Sequence, residues 1–551
     1  MKTPIRRVKC DEARPHCRRC ITFEVKCDGY ATPKCQSSNL VDDRTGQTPR
    51  RKQGPDPLAS SQLTTSLFDA EEHQYFHYFC NSTVAELSGY FENEFWGRLI
   101  LQTCHHEPAV RKAVVAIAAL GKTKEEAQIQ APRSPAPVDL ARAKRHHQFA
   151  LRRYDAAVKL MRCELNNAGG HQVRRALVWS LLIYCFETYH GDHETALEHA
   201  QAGLKLWLEC LEQQHPEMAS PGQDQRKSSE LGLTSPAPWI VEDEISQAYT
   251  RLDCEVMTYS DTRPRSSHQK LRSIGMADVR DMPTKFSTLR EARRYWWLVE
   301  SRAMHYIASS YERTDGPKQG HEPHSIFRSA EEISENHRLE KDRRKNDIHR
   351  WLAAAEPILE RSRSEKESAD RMGIIALIVH SKFRLVGLGV HVTQCREMAY
   401  DEHSEMLTET LELLRVNVDE WQRTNRQQNS RYTPDSGIVI NLFRCAMKCR
   451  VPKVRREAIA LLKRVRCREG FWDSELCARA ATWVMNTEEK GLQGDFVPLE
   501  WRISVTSLTC LMSCWEQESK QKQGTLEIKL AQTHCSSPLF SHTHEPVKRN
   551  S

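Results

Sequence analysis

Four cysteines near the start of the chain constrain the fold of their segment more than any other feature of the sequence. They follow the pattern Cys-x6-Cys-x2-Cys-x6-Cys, and they are Cys10, Cys17, Cys20 and Cys27. Clustered thiolates are the ligands of structural zinc sites, and such small modules fold around their metal. Cations surround these cysteines: Arg6, Arg7, Lys9, Arg14, Arg18, Arg19 and Lys26. The pattern predicts a small zinc-folded module with a strongly basic surface.

Residues 6–20 resemble the fungal Zn2Cys6, or binuclear zinc cluster, transcription-factor family. That family has six cysteines in the order Cys-x2-Cys-x6-Cys-x6-Cys-x2-Cys-x6-Cys, and the first and the fourth each bridge two zinc ions. The four cysteines here align with the third to the sixth of that set, and Pro15 lies in the loop that joins the two halves. The resemblance therefore implies Zn2+ as the cofactor, with two ions in an intact cluster.

The chain departs from the family pattern at the first two cysteine positions. Thr3 occupies the second position, and the first would precede Met1. One zinc ion would keep two thiolates and the other three, so the cysteines present can fully coordinate at most one ion. Three explanations remain open: an upstream exon that supplies a Cys-x2-Cys pair, a truncated gene, or a single zinc held by the four thiolates. Four unligated cysteines in a polar arm are the alternative without a metal.

The resemblance also assigns roles to the cations. Arg6 and Arg7 fall where the family's base-contacting residues lie, and Lys9 is the expected phosphate contact. A long cation can donate to guanine O6 and N7 in the major groove while its neighbours neutralise phosphates. The resemblance thus implies a nuclear, sequence-specific transcription factor of RNA polymerase II genes that controls a metabolic or secondary-metabolite gene set. The alternative is a truncated helical regulator that acts through protein partners alone.

The expected partners are double-stranded DNA and the transcription machinery. A homodimer remains open, because no apolar heptad follows the cysteine module. The formal net charge is +7, and residues 1–52, with 13 Lys and Arg against 6 Asp and Glu, hold all of this excess. Such confinement favours a DNA-tethered regulator over a membrane-surface protein. The longest apolar runs, such as residues 372–379, are too short to span a bilayer, so no membrane association is expected.

The 19 cysteines do not indicate a disulfide framework. Their number is odd, their spacing beyond Cys35 is irregular, and no apolar signal segment precedes them. A reducing compartment is favoured, which agrees with a nuclear location.

The predicted fold is mostly α. Residues 1–30 form the partial zinc module, and residues 31–66 form a disordered, basic and polar linker, since they hold few large apolar side chains. Helical periodicity over residues 67–515 predicts a large, all-helical, α-solenoid-like regulatory domain. Residues 516–551 are expected to be a polar tail.

Individual helices can be placed within this domain. Val110, Ala113, Val114, Ile117 and Ala118 have the spacing of a buried helical face. Two helices, 171–189 and 192–208, are expected to form a hairpin, and others are predicted near 291–310, 371–389, 400–424, 436–449, 452–466 and 472–487. Loops are expected at 121–137, 213–238, 259–288 and 312–345. Residues 87–116 are similar to the opening of the helical regulatory domain in one branch of the family.

An enzyme is the second class to consider. His73 and His77 could share a helix face, but no third metal ligand is in view, and no Gly-x-Ser-x-Gly, phosphate-binding loop or dinucleotide fingerprint occurs. The segments 105–107 and 190–194 are rich in histidine and acid, and surface or capping roles are preferred for them. Cys445 and Cys449 are expected to be small core residues rather than a redox pair. We therefore expect no enzymatic activity and no catalytic residues.

Overall fold

Helices make up most of the part of the chain that the structure describes. The computed structural model describes residues 69–503, except 92–93, 129–136, 167–171, 215–232, 234, 236–240, 311–334, 365–369, 392–395 and 425–430. The chain divides into two units, Met1–Gln62 and Leu63–Ser551, and the described residues belong to the second. The predictions for the zinc module, the linker and the tail fall outside the described residues.

The N-terminal half of the described region is built from helices alone. Its elements are α1 (Ala70–Tyr78), a short π-helix (Phe79–Thr83), α2 (Val84–Ser88), a second π-helix (Phe95–Ile100), α3 (Leu101–His106), α4 (Pro108–Gln128), α5 (Pro137–Asn166), α6 (Gln172–His190) and α7 (His193–Gln214). Neighbours in sequence pack together, α4 against α5 and α6 against α7. Only Gly191 and Asp192 separate α6 from α7, so the predicted hairpin is confirmed. The predicted apolar face of α4, from Val110 to Ala118, is buried.

The C-terminal half adds helices and three short strands. Its helices are α8 (Asp243–Tyr259), α9 (Arg265–Leu271), α10 (Met276–Arg280), α11 (Leu289–Ser309), α12 (Glu335–Ser364), α13 (Arg371–Val390), α14 (Arg396–Ala399), α15 (Ser404–Thr424), α16 (Val439–Lys448), α17 (Pro452–Val465) and α18 (Ser474–Glu488). Two 3-10 turns, Asp401–His403 and Leu499–Trp501, complete the helical elements. The strands are β1 (Arg431–Thr433), β2 (Cys467–Glu469) and β3 (Trp472–Asp473). The mostly α fold is therefore confirmed.

The small sheet corrects the expectation of an all-helical domain. β1 pairs with β2 in parallel, and β2 pairs with β3 in antiparallel fashion. Strands of two or three residues are too short to show an alternating apolar pattern, which is why the sequence did not predict them. The turn after α2 lies against β1: Gly89 has φ of 61°, and a Cβ there would stand 2.5 Å from Thr433 Oγ1. Glycine is required there by both the backbone conformation and the close approach.

Several predicted loops contain helices. α12 begins at Glu335, inside the loop expected at 312–345, while α9 and α10 occupy part of 259–288 and α4 extends to Gln128. The first turns of α12 are highly charged and carry few apolar side chains, so they lack the periodicity that marks a buried helical face. One of its charged residues, Arg344, is nevertheless buried.

α13 is the apolar centre of the C-terminal half. By length and composition alone this helix could cross a bilayer, because its apolar character extends beyond the run at residues 372–379. About 78% of its most apolar window is buried inside the protein. It packs against α11, α12 and α15. The burial identifies α13 as a core helix of this unit.

Candidate functional site

The residues that the sequence predicts to bind metal and DNA all lie outside the described part of the chain. They are the metal ligands Cys10, Cys17, Cys20 and Cys27 and the DNA contacts Arg6, Arg7 and Lys9. Their assignment stays a prediction.

The histidine-rich segments do not assemble a metal site. His73 and His77 lie on α1, where His77 contacts the Asn81 amide at 3.0 Å. His193 is buried rather than on the surface, and burial lowers its pKa to about 4. No three metal-ligating side chains come together among residues 69–503 as far as they are described. Cys445 and Cys449 are buried free thiols whose pKa burial raises, so their predicted role as core residues is confirmed.

A cavity of about 400 Å³ lies between α8, α9, α11, α13, α16 and β3. Eight of its 16 lining residues are apolar or aromatic: Met257, Met304, Ile307, Ala308, Ile440, Phe443, Met447 and Trp472. Pockets of this size and composition bind small molecules in many proteins. Of the helices that form the wall, α11, α13 and α16 were predicted, whereas α8 was not and α9 lies in an expected loop. The cavity itself was not predicted.

Most cations of the cavity wall are paired with carboxylates. Arg384 donates two hydrogen bonds to Glu300, at 2.9 and 2.6 Å. Arg263 contacts Asp253 at 2.6 Å and also pairs with Asp261. Each pair satisfies the charge of a side chain that borders the cavity.

Two further cations of the cavity wall, Lys448 and Arg444, lie on α16. Lys448 is paired with a carboxylate, and Arg444 is not within the described part of the chain. Lys448 contacts Glu397 at 2.5 Å. Arg444 makes no ion pair within the described residues; its Nη1 donates to the side-chain oxygen of Asn441 at 3.2 Å, and its guanidinium carbon lies 5.7 Å from the Phe383 ring centre. Burial, reinforced by the nearby Arg384, lowers the pKa of Arg444 to about 10. Arg444 thus remains charged at neutral pH without a carboxylate partner at contact distance.

His268, which lines the cavity, is paired with a second histidine, His305. The Nδ1 atoms of His268 and His305 lie 3.0 Å apart, and His305 Nε2 lies 2.9 Å from Asp253 Oδ2. Burial lowers the pKa of His268 to about 4, so this imidazole is neutral near pH 7. The network joins α8, α9 and α11 and holds His268 in the cavity wall.

Two family models match the chain. Residues 5–37 match the fungal Zn(2)-Cys(6) binuclear cluster domain, and residues 74–237 match the fungal specific transcription factor domain. The chain therefore contains segments similar to both domains of the fungal Zn2Cys6 transcription factors. This confirms the resemblance drawn from the cysteine spacing. Zinc is the metal of this domain type, so the expected cofactor is confirmed as well.

Two relatives are transcription regulators by name. The chain is 28% identical over 214 residues to the aspercryptin biosynthesis cluster-specific transcription regulator atnN of Emericella nidulans, an alignment that covers 37% of this chain and 33% of the relative. It is 25% identical over 215 residues to the transcription regulator lscL of Purpureocillium lilacinum, an alignment that covers 37% of this chain and 47% of the relative. The chain therefore spans less than half the length of either relative. No solved structure matches the chain. Neither the matched Zn2Cys6-family domains nor these names describe an enzyme, as the sequence led us to expect.

The donor set of the zinc segment fits one ion better than two. The matched residues 5–37 include the four predicted thiolate ligands, and one tetrahedral zinc site requires four. A binuclear cluster shares six thiolates, so this set is two ligands short of it. The cavity lies in a different region, since its wall comes from residues 257–472, beyond both matched ranges.

Proposed function

We propose that the protein is a zinc-dependent, sequence-specific DNA-binding regulator of RNA polymerase II transcription that controls a secondary-metabolite gene set. The match of residues 5–37 to the Zn(2)-Cys(6) cluster domain carries this proposal. The relative from Emericella nidulans, named as specific to a biosynthesis cluster, supports the gene class. The proposed location is the nucleus, and the proposed partners are double-stranded DNA, the transcription machinery and a second copy of the chain.

Within this proposal each predicted site residue has one role. Cys10, Cys17, Cys20 and Cys27 hold zinc, which stabilises the module and takes no part in chemistry. Arg6 and Arg7 read bases, and Lys9 neutralises a phosphate. The domain limits 1–30, 31–66, 67–515 and 516–551 are part of the same proposal.

The first test is the substitution Arg7→Ala in the zinc-loaded full chain. We expect a loss of roughly 1–3 kcal/mol of discrimination at one base pair of a selected site, because a base-reading arginine contributes only at the base that it contacts. Binding is measured by fluorescence anisotropy on the selected duplex and on duplexes with single base-pair changes. Lys9→Ala is the matched comparison: it should weaken binding to all duplexes alike and reduce the salt dependence by about one phosphate. Uniform weakening by Arg7→Ala would make Arg7 a phosphate contact.

A second candidate function rests on Thr3, which occupies a position that the family pattern gives to cysteine. A helical regulator without DNA binding would act through protein partners. The gel shift of the purified chain with added zinc separates the two candidates: sequence-specific retention supports the DNA-binding regulator, and absence of retention supports the partner-binding one.

A further inference from the structure

We propose that the cavity between α8, α9, α11, α13, α16 and β3 binds a small amphipathic carboxylate, with Arg444 as the anchor of the carboxylate group. The ligand class is an aliphatic or aromatic acid with one carboxylate and an apolar body. This site lies within residues 257–472. The inference goes beyond the proposed function and does not depend on DNA binding.

The apolar wall provides the first part of the argument. Met304 and Ile307 on α11 face the same cavity as Phe443 and Met447 on α16. Apolar surface that lines an open cavity gains free energy when a hydrocarbon body displaces water from it. Methionine side chains adapt to ligands of different shape, because they are unbranched and flexible. The wall therefore favours a ligand with an apolar part, and it can accommodate apolar parts of different shapes.

The cations of the cavity wall favour a ligand with a negatively charged head group. The cavity wall holds four arginines and one lysine but one carboxylate, Asp261, which is engaged with Arg263. Glu300 and Glu397 hold Arg384 and Lys448 in pairs, so these cations can stay in place when a ligand enters. Arg444 can accept an additional carboxylate without breaking an existing ion pair among the described residues. Arginine binds carboxylates in bidentate geometry. The free energy of this interaction is larger when the arginine is partly desolvated.

The position of Arg444 also disfavours ligands without a negative charge. A cationic ligand would bring a like charge beside Arg444 and Arg384, which is unfavourable at low local dielectric. A neutral alcohol could fill the apolar part but would leave Arg444 without a counter-charge. The cavity should therefore discriminate between head groups on one hydrocarbon chain.

The test is isothermal titration calorimetry of the full chain with decanoate, 1-decanol and decylamine. We expect one decanoate site, decanol binding about 10- to 100-fold more weakly, and no detectable decylamine binding, because hydrogen bonds to charged groups contribute about this factor. Arg444→Met keeps an unbranched chain that resembles the apolar stem of arginine but removes the charge, and it should reduce decanoate affinity to that of decanol. Arg444→Lys should keep part of the preference for decanoate over decanol.

Two variants serve as controls. Arg456→Met removes an arginine that is 53% exposed on α17 and should leave the binding of all three probes unchanged. Ala308→Phe places bulk in the cavity wall and should abolish both decanoate and decanol binding. Thermal melting of each variant verifies folding, and the ligand-free Arg444→Met protein should melt no lower than the unsubstituted one, since the substitution removes a half-buried charge that has no ion pair among the described residues. Absence of decanoate binding, or equal decanoate binding by the unsubstituted chain and Arg444→Met, would overturn the proposal.

Discussion

Three buried carboxylates hold the turn that leads from β1 into α16. Glu255 accepts hydrogen bonds from the Ser436 backbone N–H at 3.0 Å and from its hydroxyl at 2.6 Å. Asp435 lies between Arg251 at 3.2 Å and Arg293 at 2.5 Å. The third carboxylate, Glu469, contacts the following residues of the turn. No sequence pattern could pair Glu255 with Ser436, because they are 181 residues apart and meet only in the folded chain.

The pKa of Glu255 predicts how this single residue makes the stability of the fold depend on pH. Burial, reinforced by the charges of Asp435 and Glu469, raises its pKa to about 8. A carboxyl whose pKa is higher in the folded than in the unfolded state stabilises the fold fully below its unfolded pKa of about 4.3, and this stability is lost as pH rises through the folded pKa. The contribution of Glu255 to the unfolding free energy should therefore fall between about pH 5 and about pH 8, and chemical denaturation across this range isolates it as the difference between the unsubstituted chain and a variant without this carboxyl.

Glu255→Gln should reduce this fall, because glutamine resembles the protonated acid and can keep both contacts with Ser436. Glu402→Gln, at an exposed position, is the matched control and should leave the pH profile unchanged. An identical slope in the unsubstituted chain and in Glu255→Gln would contradict the role of Glu255.

At the scale of elements, α16 and α18 begin in two different ways. Asp473 directly precedes α18 and accepts from the backbone N–H groups of Glu475 and Leu476, both at 3.1 Å. Asp at this position is a recognisable helix start in a sequence. α16 has no such cap, and Glu469 of β2 instead accepts from three N–H groups at 2.8–2.9 Å, those of residues 437–439. Such a cap from a distant strand leaves no local signal, which is why the helix was predicted but its anchor was not.

Removal of the two caps should have different effects on stability. Glu469→Ala leaves three buried N–H groups and the Tyr90 hydroxyl without their acceptor, so we expect a loss of about 3 kcal/mol or more. Asp473→Ala should cost about 0.5–2 kcal/mol, because it removes a helix cap that water can partly replace and a partly exposed ion pair with Arg468. Tyr90→Phe is the third variant and should cost less than Glu469→Ala, because it removes one donor and keeps the three backbone bonds. Urea denaturation gives the three values, and equal losses for Glu469→Ala and Asp473→Ala would contradict the distant cap.

At the scale of the whole molecule, the matched family region is smaller than the folded unit. The family match ends at residue 237, yet α6 is covered by later elements. Tyr249 donates a hydrogen bond to the Leu177 carbonyl at 2.9 Å, and the Tyr432 ring stacks on Tyr189 at 4.5 Å. Helical periodicity predicted that such helices exist and which faces they bury. It could not predict which distant element covers each face, because tertiary partners leave no local pattern.

Because the matched region is smaller than the folded unit, we can predict how fragments of the chain will behave. A fragment of residues 69–237 lacks α8 and β1, so the side of α6 that contacts Tyr249 and Tyr432 would be exposed to water. We expect this fragment to keep helical far-ultraviolet circular dichroism but to lose near-ultraviolet signal and cooperative thermal unfolding, because its side chains lack fixed packing. The fragment 63–503 retains these contacts and should unfold in a cooperative transition. Within the longer fragment, Tyr432→Ala removes the ring that stacks on Tyr189 and should lower its midpoint, whereas Leu339→Ala, at an exposed position on α12, should not. Sharp cooperative unfolding of 69–237 would instead show that the matched region folds independently of the elements that cover it.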